Sequence, residues 1–101
     1  MWLVAMFDLP VDTKEARKQY ALFRKDLLKD GFSMMQFSVY IRHCASEENA
    51  EVHCGRVERE LPPDGEVRLM LITDKQFERM RVFLGRMRKR TEAAPPQMEL
   101  F

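Results

Sequence analysis

The feature that most limits what this chain can become is an unbroken apolar run, Met1 to Phe7, that stops at Asp8-Leu9-Pro10. The run is far shorter than the roughly 20 residues a membrane span needs. With no polar alternation it suits a central strand covered on both faces. Pro10 ends it, because proline has no N–H with which to continue a ladder. The run also lacks the basic flank and small-residue cleavage site of a secretory signal, so a cytoplasmic protein without membrane contact is expected. Asp8 is a carboxylate standing where a buried strand emerges. It is the first candidate for chemistry, although a turn aspartate capping the next loop would occupy the same position.

The remaining elements follow from spacing. Asp12 and Glu15 form a capping-box-like pair, so a helix is predicted to begin at Asp12. Its apolar face is Ala16, Tyr20, Phe23 and Leu27, and Gly31 is its expected stop. Phe32 to Arg42 reads as extended chain with a bend or register change at Gln36. Ser46 caps a second helix with the predicted apolar face Ala50, Cys54, Val57 and Leu61; Pro62-Pro63-Asp64-Gly65 is then a turn. Val67 to Thr73 is a further strand, and Thr73-Asp74-Lys75-Gln76 has the capping-box pattern of at least a short helical turn. Arg81 to Leu84 fits either a continuation of that helix or a strand closed by Gly85.

The order strand, helix, strands, helix, strand is that of a ferredoxin-like α+β domain, βαββαβ, with an antiparallel sheet and two helices on one face. A chain of 101 residues supports one such domain, placed at residues 1–85. Residues 86–101 read as a basic linker followed by an apolar docking tip, in which Met98, Leu100 and Phe101 are the anchoring side chains. A small sheet of this kind leaves one face and its edges uncovered, and a homodimer is the expected remedy.

Charge is unevenly placed. The net charge is only +1, yet residues 43–66 carry two basic and seven acidic groups. By contrast, the stretch from Arg79 to Arg90 holds Arg79, Arg81, Arg86, Arg88, Lys89 and Arg90 and no acid. Such a stretch is a candidate nucleic-acid-binding segment, with a solvated helix face as the bland alternative. No base-reading motif accompanies it, so backbone contacts are expected. His43-Cys44 and His53-Cys54 could be taken for four zinc ligands, but zinc is not expected: His43 and Cys44, adjacent on a strand, point to opposite faces, and the usual C-x₂₋₄-C spacing is missing. Cys44 and Cys54 are expected as reduced thiols.

Five segments stand in one register: Phe7-Asp8-Leu9-Pro10, Gly31-Phe32, Gln36-Phe37-Ser38-Val39-Tyr40, Thr73-Asp74-Lys75-Gln76-Phe77 and Arg81-Val82-Phe83-Leu84-Gly85. Through them the chain resembles the CRISPR-associated protein two family, the small partner of the spacer-acquisition integrase, with most similarity to type II members. The resemblance implies a ferredoxin-like homodimer in which the C-terminal strand joins the partner's sheet. It implies magnesium (or manganese) at the Asp8 position of a metal-dependent nuclease, with Arg17 assisting cleavage. Phe37 and Ser38 fall in a segment linked to that activity, Phe37 standing where several members carry arginine; sheet packing explains both residues as well. It also implies a second role, in which the dimer bridges integrase subunits and holds prespacer double-stranded DNA, RNA being the other substrate class.

Three readings result. The first is an adaptor in spacer acquisition, and the second an endonuclease (endoribonuclease or endodeoxyribonuclease) acting through Asp8. The third, a small RNA-binding or regulatory ferredoxin-like domain, is disfavoured because its strands lack spaced stacking aromatics.

Overall fold

The computed structural model describes residues 1–85, which form four strands and three helices. These are β1 (Trp2–Asp8), α1 (Lys14–Lys29), β2 (Ser33–Gln36), β3 (Val39–His43), α2 (Glu47–Arg59), β4 (Glu66–Ile72) and the short α3 (Asp74–Glu78). The sheet order is β2-β3-β1-β4, and every pairing is antiparallel. This is the predicted ferredoxin-like α+β arrangement. The apolar run became a central strand, with β3 and β4 as its neighbours.

Alternation along β1 divides the sheet into two faces. Leu3, Ala5 and Phe7 point into a core closed by Phe23 and Leu27 of α1 and by Ala50 and Val57 of α2. Tyr40 and the half-buried Leu69 and Leu71 complete it from the neighbouring strands. The far face therefore receives Trp2, Val4, Met6 and Asp8 from β1. Their register partners there are Ile41 and Val39 on β3, and Ile72, Met70, Arg68 and Glu66 on β4. The result is an apolar strip with a charged end, where Asp8, Glu66 and Arg68 meet.

Several boundaries differ from expectation for physical reasons. The cap of α1 is Thr13, not Asp12: the Thr13 hydroxyl accepts from the Ala16 N–H at 3.0 Å. Both residue types cap well, and adjacent good caps leave the choice to the path out of the sheet. Ser46 and Thr73 cap as predicted, and Thr73 with Gln76 forms the full reciprocal box. Gly31 ends α1 with φ +92. The extended segment from Phe32 folds into the β2–β3 hairpin, whose register shifts between Met34 and Gln36. Ser38 adopts φ 65 in its turn.

On α2 the buried residues are Ala50, His53 and Val57, whereas Leu61 lies beyond the helix and is exposed. His53 takes a core position because it has a partner. Its Nδ1 lies 2.8 Å from Asp30 Oδ2, while Arg56 donates to the other carboxylate oxygen at 2.8 Å. Arg42 adds a bond from Nε to the Asp30 carbonyl at 2.7 Å. Burial alone would push the Asp30 carboxyl up, but the hydrogen bonds and charges of Arg56 and His53 outweigh it and hold the group below its ordinary value. Residues 81–85 are neither of the predicted alternatives. They follow α3 as irregular chain without a strand partner among the described residues, and Val82, Phe83 and Leu84 are exposed.

Candidate nucleic-acid-processing site at the end of the central strand

Asp8 is the last residue of β1, exposed and on the sheet face away from the helices. Two neighbours fix its backbone. Gly65, at φ +99, lies so close that a β-carbon on it would stand 2.8 Å from the Asp8 carbonyl oxygen and 2.6 Å from Leu9 Cδ2. On the other side the Phe7 N–H donates to the Ser38 carbonyl at 3.1 Å, extending the β1–β3 ladder to the residue before Asp8. The carboxylate is thus presented by a strand held on both edges, and Leu9 beside it is buried in the core.

Opposite Asp8 in the register is Glu66, and one pleat further along β4 is Arg68, opposite Met6. Residues two apart on a strand share a face, so all three charged side chains stand on the same side of the sheet. Arg68 Nη2 donates to Glu66 Oε1 at 3.2 Å, in a pair open to solvent. A shallow depression of about 200 Å³ is lined by Met6, Phe7, Asp8, Glu66 and Arg68. Among the described residues, Asp8 has no ion-pair partner.

The donors offered here are carboxylate oxygens with free access to water. That set suits a hard cation such as magnesium, which takes one or two carboxylates and fills its remaining positions with water and phosphate oxygen. Among the described residues no group of three or more His, Cys, Asp or Glu side chains gathers around one point. A protein-only cage of the zinc type is therefore not what this surface offers.

Other sequence candidates lie elsewhere. Arg17 Nη1 donates to the Val11 carbonyl at 3.1 Å, so in this state it braces the loop after Asp8 and does not line the depression. Phe37 is not packed in the sheet: it is 80% exposed in the hairpin turn, with its ring stacked at 6.4 Å from that of Tyr20. The Ser38 hydroxyl lies 3.5 Å from that of Tyr20.

Arg79 caps the C-terminus of α3, and Phe77 of that helix stacks on Trp2 at 4.3 Å. The basic segment thus begins beside the opposite end of β1 from Asp8, about 20 Å away along the strand at ~3.3 Å per residue. Arg81 follows, exposed, in irregular chain. Arg86, Arg88, Lys89, Arg90, Met98, Leu100 and Phe101 fall outside the described residues. Gly65 is legible in the sequence as a turn residue, whereas nothing there marks Glu66 or Arg68 as part of a site. Glu66-Val67-Arg68 does show the two-residue period that puts an acid and a base on one strand face.

Comparison with known proteins bears on what such a site belongs to. Residues 1–80 match the family described as "CRISPR associated protein Cas2". The chain is 60% identical over 101 residues to the "CRISPR-associated endoribonuclease Cas2" of Parvibaculum lavamentivorans, covering all of both chains. It is 52% identical over 101 residues to the protein of the same description from Flavobacterium psychrophilum, covering all of this chain and 88% of that one. Among solved structures, Streptococcus pyogenes Cas2 superposes with a TM-score of 0.61, at 19% identity, over 82% of this chain and 99% of that one. That likeness concerns the fold, and the sequence relatives carry the kinship. The family match over residues 1–80 and the identities over the whole chain lead to one assignment: this chain belongs to the CRISPR-associated Cas2 family.

Proposed function

We propose that this protein acts in CRISPR spacer acquisition as a homodimer that binds nucleic acid, and that Asp8 gives it a magnesium-dependent endonuclease activity. The observation that carries the reading is the presentation of Asp8: an exposed carboxylate on the open sheet face, clamped at its backbone by Gly65 and by the β1–β3 ladder. One protomer supplies a single strand-end aspartate. A twofold partner brings a second copy of the same residue, which raises the oxygen donors to what a hydrated divalent ion uses.

Three features favour a second copy as the occupant of the far face. That face carries the half-buried Met6 and Val39 and the exposed Met70. The segment after α3 presents Val82, Phe83 and Leu84 at 55%, 82% and 50% exposure. β4 is an edge strand whose one hydrogen-bonded neighbour among the described residues is β1. Such an edge accepts an added strand from another chain. The strand so added would be the C-terminal one, with Met98, Leu100 and Phe101 as its apolar side chains.

A magnesium or manganese ion held by Asp8 would polarise a phosphodiester and lower the pKa of a bound water. The chain's own part is to hold that carboxylate at a fixed height above the sheet and to keep the depression open to a phosphate. The relatives are named as endoribonucleases, which makes RNA the first substrate to try. Prespacer duplex DNA is the second, gripped along the basic segment from Arg79 to Arg90.

A non-catalytic adaptor that joins integrase subunits is the alternative reading, and one observation favours it: Arg17 is engaged with Val11 and does not face the Asp8 depression. Incubating the protein with labelled RNA and duplex DNA, with and without magnesium, and sizing it with its cognate integrase separates the two. Magnesium-dependent cleavage lost in Asp8→Asn supports the enzyme. Stable integrase complexes from a protein that never cleaves leave the adaptor role alone. Binding to duplex DNA should weaken steeply with salt, and an affinity flat between low and physiological salt would remove the basic-segment contact.

A further inference from the structure

We infer that Arg68 is the phosphate-binding residue of the Asp8 site, and that Glu66 holds its guanidinium in reserve until nucleic acid arrives. The inference rests on the proposal that this face meets a phosphodiester, and it adds the residue that recognises it. The juxtaposition is set by the β1–β4 register. Asp8 faces Glu66 and Met6 faces Arg68, so Arg68 is the diagonal neighbour of Asp8 on the same face. Diagonal α-carbons in an antiparallel pair lie about 7–8 Å apart, within reach of a long side chain. Among the described residues, Arg68 is also the one cationic side chain lining the depression beside Asp8.

Chemistry distinguishes this arginine from the others. A carboxylate prepared for a divalent ion repels a bare phosphodiester, so the site needs a cation that approaches the non-bridging oxygens from the side. The planar guanidinium does this with two parallel N–H donors. Arg68 is exposed, and its present partner is exposed too, joined by one 3.2 Å contact. Such surface pairs are weak, so a phosphate displaces Glu66 at little cost. The pair keeps Arg68 from settling on Asp8 itself, which would consume the metal's ligand. Arg17 is committed to Val11, and Arg79 begins the basic segment at the other end of the sheet. Neither can take this role without moving.

The test reads binding, not turnover. In an Asp8→Asn background with magnesium present, the affinities for a fluorescein-labelled single-stranded RNA and for a matched DNA duplex are measured across a salt series. Arg68→Gln is expected to weaken binding roughly 10-fold at low salt. It should also flatten the slope of log affinity against log salt by about 0.7 for the RNA arm and about 0.9 for the duplex, one phosphate contact in each case. The arm that shows the loss identifies the polymer this site accepts. Arg68→Lys should keep the slope and recover part of the affinity, because it retains the charge and loses the fork. Glu66→Gln should tighten binding severalfold, and that gain should vanish when Arg68 is also replaced.

An Arg68→Gln protein with unchanged affinity and slope in both arms overturns the inference. So does one whose affinity falls only together with loss of the dimer on a sizing column, since Arg68 would then be an interface residue. Glu66→Gln binding more weakly than its parent also contradicts it. Absence of cleavage by the wild type would remove the endonuclease reading while leaving these slopes to decide the role of Arg68.

Discussion

Gly65 rests against the carbonyl oxygen of Asp8: a methyl group on its α-carbon would lie 2.8 Å from that oxygen, and its φ is +99. The turn that returns the chain from α2 into β4 is therefore also what fixes the end of β1. Replacing Gly65 with alanine forces a side chain into left-handed backbone and against a backbone oxygen that cannot yield. The expected cost is about 1–3 kcal/mol. In a domain of this size that lowers the melting temperature by roughly 4–8 °C for each kcal/mol. Thermal melts of the purified variant check it, and an unchanged midpoint would show that the turn relaxes freely.

Asp30 ties the end of α1 to α2 through His53 and Arg56, and its carboxyl is held below the ordinary value of 3.8. Because the folded-state value is depressed, this contribution is fully present above the unfolded value. It is lost as pH falls from about 3.8 through the lower folded-state value. Asp30→Asn should destabilise by roughly 2–4 kcal/mol at neutral pH, since His53 is left buried with a weaker partner. The difference between wild type and variant should shrink as pH drops below that window. Urea unfolding at neutral and strongly acidic pH measures both, and a difference independent of pH would contradict the charged network.

Deleting Met98 to Phe101 is expected to weaken the dimer if that segment joins the partner's sheet. Sedimentation equilibrium of full-length and truncated protein at matched concentration gives the dissociation constants. Equal values would confine the dimer contacts to the sheet face and to residues 82–84.

Local pattern made most of the fold legible. The run to Phe7 announced a central strand, and Ser46, Thr73 and Gly31 announced element ends, because caps and left-handed stops act within a turn of chain. Thr13 displaced Asp12 as a cap because two suitable oxygens stood side by side. His53 broke the apolar pattern of α2 because its partner, Asp30, lies 23 residues away. Distance along the chain hid part of the site as well. Asp8 was visible as a lone acid, but Glu66 and Arg68 reach it through a strand register that no local spacing encodes. Phe37 read as a strand residue because the hairpin turn at Ser38 carries no glycine.

Magnesium-dependent cleavage of a labelled single-stranded RNA by wild type and Asp8→Asn is the most direct measurement. Both proteins should elute as the same dimer. Removing the carboxylate proposed to hold the metal should lower the cleavage rate roughly 10²–10³-fold, the scale of several kcal/mol of transition-state stabilisation. An Asp8→Asn dimer that cleaves as fast as wild type would contradict the assignment of the metal to the end of the central strand.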